Sequence, residues 1–136
     1  MESYRHKVQY YETDKMGITH HSNYIRWMEE ARIDFLERIG FSYARLEEMG
    51  VVSPVLSVNC RFLAPTTFAD EIFISVSVSE FRGVKLHLTY VMKNEKGDIV
   101  CEGASEHGFL NKESRPIRMK KEFPELYEAL LACVQQ

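Results

Sequence analysis

The sequence predicts an α+β domain in which one long helix covers an antiparallel sheet. Three observations carry that prediction. Residues 22–39 repeat their apolar side chains at helical spacing. After residue 50 the hydrophobic period drops from 3.6 to 2 and stays there through four runs. The links between those runs are short, which joins neighbours as antiparallel hairpins.

Taken in order, residues 4–12, rich in Tyr and Val, predict a first strand. Asp14-Lys15-Met16-Gly17 then reads as a turn. The helix from Ser22 to Ile39 places Tyr24, Trp27, Met28, Ala31, Phe35 and Ile39 on one face, with Ser22 as the expected N-cap and Gly40 at the C′ position. Residues 42–49 add a short helical turn before Gly50. Leu56, Val58, Cys60 and Phe62 alternate with polar residues, as do Ile72, Ile74, Val76 and Val78. The run Val84, Leu86, Leu88, Tyr90 and Met92 follows, and residues 98–110 form a last one. Each of these strands is expected to bury one apolar face. Hairpins are expected at Arg82-Gly83 and at residues 94–98, and a C-terminal amphipathic helix over residues 122–134 with Pro124 in its first turn. The whole chain, 1–136, reads as one domain without repeat or linker.

A net charge of −3 gives no reason to expect phosphate neutralisation, so nucleic acid is not an expected partner. The apolar runs are only a few residues long, against the roughly 20 of a membrane span, and the polar start has no signal-type segment. The expected setting is therefore the cytoplasm. Cys60, Cys101 and Cys133 are odd in number and widely spaced, which argues against a disulfide framework or a zinc knuckle. Nor do the five histidines share a metal-ligand spacing, so no metal or cofactor is expected.

Chemistry concentrates between Asp14 and Ser22. A helix N-terminus presents free N–H groups at the positive end of its dipole, and such an end can hold an oxyanion. Gly17 allows a tight backbone turn, so a carboxylate just upstream can sit on the other side of a reacting carbonyl. Turn and cap chemistry alone would also account for these residue types. A Ser-His-Asp triad is disfavoured, because adjacent His21 and Ser22 cannot readily chain their hydrogen bonds and no G-x-S-x-G elbow is present.

The pattern Asp14-x-x-Gly17, then Asn23-Tyr24, then Trp27 resembles the 4-hydroxybenzoyl-CoA thioesterase family. Ser53-Pro54 and Phe62-x-x-Pro65-x-x-x-x-Asp70 are similar to it too. That resemblance implies a hot-dog fold, a curved antiparallel sheet of about five strands wrapped around one long helix, with hydrolysis of an acyl-CoA. It implies Asp14 as the catalytic carboxylate, the backbone N–H of His21 as oxyanion donor, and Tyr24 and Trp27 lining the acyl end or seating the helix. Arg82 and Lys85 would bind the nucleotide end of coenzyme A. Lys15 and Met16 depart from the small or proline residues often found after the aspartate, and Gly83 and Val84 dilute the basic run. A homodimer or homotetramer is implied, because the family builds sites between subunits. The rival readings are a hot-dog hydroxyacyl dehydratase and a non-catalytic acyl-CoA-binding module.

Overall fold

The computed structural model describes residues 2–134. Along the chain run β1 (Tyr4–Lys7), a 3-10 turn (Tyr10–Glu12), α1 (Ser22–Arg38), α2 (Tyr43–Met49), β2 (Val55–Phe62), β3 (Glu71–Phe81), β4 (Leu86–Lys93), β5 (Ile99–His107), α3 (Met119–Glu122) and α4 (Pro124–Ala132). The strands make one antiparallel sheet in the order β1-β3-β4-β5-β2. The expected α+β architecture is present, with α1 across the sheet.

The helical stripe and the strand alternation meet in one core. Tyr24, Trp27, Met28, Ala31, Phe35 and Leu36 of α1 are buried against Ile72, Ile74, Leu88, Tyr90 and Met92. Gly103 in β5 sets how closely α1 approaches. A Cβ there would lie 3.0 Å from Met28 Sδ and 3.0 Å from the Asn59 carbonyl oxygen, so a residue without a side chain lets the helix sink onto the strand.

Five expectations need correction. The first strand ends at Lys7, and the chain curls into the 3-10 turn instead of continuing to residue 12. Ser22 is the first helical residue rather than the cap. Val84 lies 70% exposed in the hairpin, and β4 begins only at Leu86. The C-terminal helix starts at Pro124 rather than at residue 122, with Pro124 in its first turn as expected, and ends at Ala132; Phe123, at φ −136 and ψ 66, separates it from the short α3. Finally, β2 does not bury its apolar face. It is an edge strand, and although Met28 covers Cys60 at 3.4 Å between the sulfurs, Leu56, Val58 and Phe62 remain 38–51% exposed.

Candidate active site

The loop entering α1 is a small hairpin built on Asp14. Asp14 N–H donates to the Ile18 carbonyl at 2.9 Å, and Gly17 N–H returns to the Asp14 carbonyl at 2.9 Å. Gly17 has φ +79, the left-handed conformation that glycine adopts without steric cost. Asp14 Oδ1 accepts from Met16 N–H at 2.8 Å, while Oδ2 has no hydrogen-bond partner among the described residues. One carboxylate oxygen thus holds the turn and the other is uncommitted, on a half-buried side chain. The 66–70 loop fixes the whole turn: Thr67 Oγ1 donates to the Gly17 carbonyl at 2.8 Å, and Asp70 Oδ2 accepts from Thr67 N–H at 2.9 Å.

At the helix start, the cap role expected of Ser22 falls to the imidazole of His20. Its Nδ1 takes the Ser22 N–H at 3.2 Å and lies 2.9 Å from Ser22 Oγ, while its ring stacks on His21 at 4.2 Å. The backbone N–H of His21 makes no hydrogen bond among the described residues. It stands with an exposed side chain immediately before α1, where the helix dipole favours negative charge.

Sequence reasoning missed the residue that ties these parts together. Glu12 is 5% exposed. Its Oε1 accepts from Gln9 N–H at 2.8 Å and lies 2.8 Å from His6 Nε2, and its Oε2 accepts from the Trp27 indole at 2.8 Å. Its carbonyl accepts from His20 N–H at 2.8 Å and Asn23 Nδ2 at 2.9 Å. Burial alone would raise the Glu12 carboxyl, but the hydrogen bonds from Gln9, His6 and Trp27 outweigh it and hold the group below the ordinary value. The Glu12 carbonyl thereby holds the His20 end of the segment, while its buried carboxylate fixes the chain just upstream of Asp14 to Trp27 of α1.

Trp27 is fully buried against Glu12, so it seats the helix and has no surface to offer a substrate in this chain. Tyr24 is 4% exposed and heads a buried hydroxyl chain, Tyr24 Oη to Thr66 Oγ1 at 2.9 Å and on to Thr19 Oγ1 at 2.6 Å. Its ring edge meets Phe62 at 5.1 Å, beside the site.

Arg82 and Lys85 sit in the β3–β4 hairpin, at the far end of β3 from the Asp14 turn. Ten residue steps of strand separate the two by about 33 Å. The structure therefore does not bring these residues to Asp14 within one chain. Each also has an acidic neighbour: Arg82 Nε lies 3.1 Å from Glu80, and Lys85 Nζ 3.8 Å from Glu106. Among the described residues no cluster of three or more His, Cys, Asp or Glu side chains is arranged to hold a metal ion, and no helix is long and apolar enough to cross a membrane.

An antiparallel sheet laid on one long helix is the architecture of the hot-dog fold. The chain belongs to the thioesterase-like superfamily, whose family profile matches residues 8–132. It is 34% identical over 124 residues to YneP of Bacillus subtilis, provisionally named an acyl-CoA thioesterase, across 90% of each chain. A 1,4-dihydroxy-2-naphthoyl-CoA hydrolase of Thermosynechococcus vestitus is 26% identical over 79% of this chain and 74% of its own. The crystal structure of a DHNA-CoA thioesterase from Staphylococcus aureus superposes with a TM-score of 0.91 at 31% identity, covering 96% of this chain and 89% of that one.

Proposed function

We propose that this protein hydrolyses an acyl-CoA thioester to a carboxylic acid and coenzyme A, with the active-site arrangement of the 4-hydroxybenzoyl-CoA thioesterase family. The observation that carries the reading is the pairing, in one clamped loop, of an uncommitted Asp14 oxygen with an unshared His21 N–H at a helix start. The similarity to YneP and to the naphthoyl-CoA hydrolases supports thioester chemistry and the coenzyme A carrier.

The thioester carbonyl oxygen accepts from the His21 N–H and from the positive end of α1, so negative charge developing on it is stabilised. Asp14 Oδ2 then acts in one of two ways. It adds to the carbonyl carbon, the C–S bond breaks with departure of the thiolate, and water cleaves the resulting mixed anhydride. Alternatively it takes a proton from a water that adds to the same carbon, and the tetrahedral intermediate collapses with loss of the thiolate. Gly17 shapes the turn, Tyr24 walls the acyl end, and Trp27 seats the helix.

The assembly is a homodimer paired through β2, or a tetramer built from such dimers. What supports this is the open, apolar β2 edge, since an uncovered strand edge is a standing template for pairing. Antiparallel pairing about a twofold axis sets the Val55 end of one β2 beside the Phe62 end of the other. The Arg82–Lys85 hairpin shares the Val55 end of the sheet, since Leu86 pairs with His107 and His107 with Val55. The partner's basic hairpin is then the one that reaches toward the nucleotide of a substrate held at Asp14. A coenzyme A substrate fits action in the cytoplasm.

The deciding experiment is hydrolysis of a panel of acyl-CoAs, followed with a thiol reagent, by the wild type and by Asp14→Asn. The change is isosteric and should lower kcat by about 10²–10⁴-fold with the fold intact. Retention of more than about a tenth of kcat would remove Asp14 from the chemistry. No turnover by the wild type on any acyl-CoA, combined with measurable binding, would favour a non-catalytic binding module; hydration of an enoyl-CoA would favour a dehydratase.

A further inference from the structure

The Asp14 turn stands clear of the core. Lys15, Met16 and Gly17 are all exposed, and a Cβ on Gly17 would meet no atom beyond its chain neighbours within 4 Å. Packing therefore does not hold the tip of the turn, and its position depends on hydrogen bonds. Those from Gly17 N–H to the Asp14 carbonyl and from Met16 N–H to Asp14 Oδ1 lie inside the turn, so they give it shape without fixing it to anything. Its base is held through Ile18, which pairs with Thr67 in an antiparallel bridge. Among the described residues, one side chain from outside the turn hydrogen-bonds to residues 14–17: that of Thr67, whose Oγ1 donates to the Gly17 carbonyl at 2.8 Å.

Thr67 is itself braced by a strained loop. Ala69 has φ +72, the left-handed conformation that an alanine adopts only at a cost in free energy. Such residues persist where their surroundings over-determine them, and they cluster at functional sites. Here the left-handed step turns Asp70 back onto Thr67. Asp70 N–H donates to the Thr67 carbonyl at 3.1 Å, and Asp70 Oδ2 accepts from Thr67 N–H at 2.9 Å. Val8, fully buried just after β1, pins the loop from the other side: its carbonyl accepts from Ala69 N–H and its N–H donates to the Asp70 carbonyl, both at 2.9 Å. One residue before Thr67, the Thr66 carbonyl accepts from Thr19 N–H at 2.8 Å. The loop is thus fixed to the body of the fold on both sides of Thr67, and the Thr67 hydroxyl carries that rigidity to the tip of the turn.

We infer that Thr67 is a positioning residue for the hydrolysis: its hydroxyl, braced by Asp70, holds the Gly17 carbonyl and so aims the uncommitted Oδ2 of Asp14 at the thioester carbon or at the attacking water. This rests on the thioesterase reading. Thr67 touches no reacting atom, and its effect passes through the placing of Asp14. A displacement of about 1 Å at a reacting group can cost about 10²-fold in rate, and a tip that loses one tether but keeps its base should lose about tenfold.

The test is steady-state kinetics on an acyl-CoA. Thr67→Val keeps the shape of the side chain and the backbone bonds of the loop and removes only the donor. It should lower kcat about tenfold with KM within about twofold of wild type. The urea midpoint should move by no more than about 0.5 M, because one exposed neutral hydrogen bond is lost. Thr67→Ser restores the hydroxyl and should bring kcat back to within about threefold of wild type. The deciding measurement is Thr67→Val in the Asp14→Asn background. Once the carboxylate is gone there is nothing left to aim, so the added change should cost less than about twofold further. A full tenfold loss there, roughly, makes Thr67 independent of Asp14 and overturns the inference. So does a Thr67→Val enzyme that keeps more than about half of wild-type kcat, or a serine variant as slow as the valine one. Asp70→Ala removes the brace and leaves the Thr67 hydroxyl in place; it should lower kcat in the same direction and be silent in the Asp14→Asn background, so it serves if Thr67→Val folds poorly. Full activity in Asp14→Asn alone is a separate outcome, and it defeats the catalytic reading itself and this inference with it.

Discussion

Glu12→Gln replaces one oxygen with an NH₂ group and leaves size and shape alone. The wild-type carboxylate meets Gln9 N–H, His6 Nε2 and the Trp27 indole, each at 2.8 Å. An amide has one acceptor oxygen, so it cannot serve both sides. The least costly orientation keeps that oxygen on Gln9 and His6 and turns the NH₂ against the fully buried Trp27 N–H. A hydrogen bond to a charged acceptor is worth about 1.5–3 kcal/mol, and a buried unsatisfied donor costs a similar amount. A net loss of about 3 kcal/mol follows, or a urea midpoint about 1.5 M lower at a slope of about 2 kcal/mol/M. The assay is equilibrium urea unfolding at pH 7 with both proteins at one fixed concentration, because any dimer makes apparent stability concentration-dependent. The pH dependence supplies a second readout. The folded carboxyl titrates below its ordinary value of 4.5, so its contribution is present above that pH and is lost as pH falls through the folded value. The gap between wild type and variant should therefore close in acid. A midpoint within about 0.3 M of wild type at pH 7 would refute the clamp, since that corresponds to well under one hydrogen bond.

Three further outcomes follow from the same structure. His21→Ala keeps the backbone N–H and should retain most activity, whereas His21→Pro deletes it and should lose about 10²–10³-fold in rate; a comparable fall in the alanine variant would make the imidazole the acid or base, and melting curves exclude simple unfolding. Arg82→Ala with Lys85→Ala should raise KM for acyl-CoA about three- to tenfold with kcat nearly constant, and should not affect thioesters lacking the nucleotide; equal losses on both substrate types would make the pair structural. Burial first, and then the Arg32 charge, push His107 down to about 4 from 6.5, so the unfolded chain binds a proton that the folded one refuses. Stability should fall by about 3 kcal/mol as pH drops between those values, and His107→Gln should flatten the urea midpoint over that window; parallel slopes would contradict it.

The parts of this protein legible in its sequence are those governed by a local period. The apolar stripe of α1, the alternation of β3 and β4, and the turn glycine at residue 17 each announce themselves within a dozen residues. Glu12 does not, because its partner Trp27 is fifteen positions away and nothing in Tyr-Tyr-Glu-Thr marks one carboxylate as buried. Thr19 and Thr66, which steady Tyr24, are forty-seven residues apart and look like any loop threonines. His20 as cap was illegible for another reason: the role usually belongs to Ser, Thr, Asp or Asn, so Ser22 drew attention from the imidazole beside it. The exposure of β2 was hidden because alternation records which residues share a face and not what covers that face. The Asp14–His21 segment was recognised through a motif, and the structure adds the uncommitted Oδ2 and the unshared N–H that give it chemical content.

Gly103 joins two things that are otherwise separate. Any side chain there would be caught between Met28 of α1 and the carbonyl of Asn59 in the open edge strand, with 3.0 Å to each. The height of the helix above the sheet and the lie of the sheet's outer strand are thus gauged at one point with no slack between them. If a second molecule pairs with β2 as proposed, it presses on the same spot that sets the height of α1, and with it, on the proposed mechanism, the aim of the His21 N–H at a bound carbonyl. On that reading, assembly and alignment of the reacting groups are, at this position, a single tolerance.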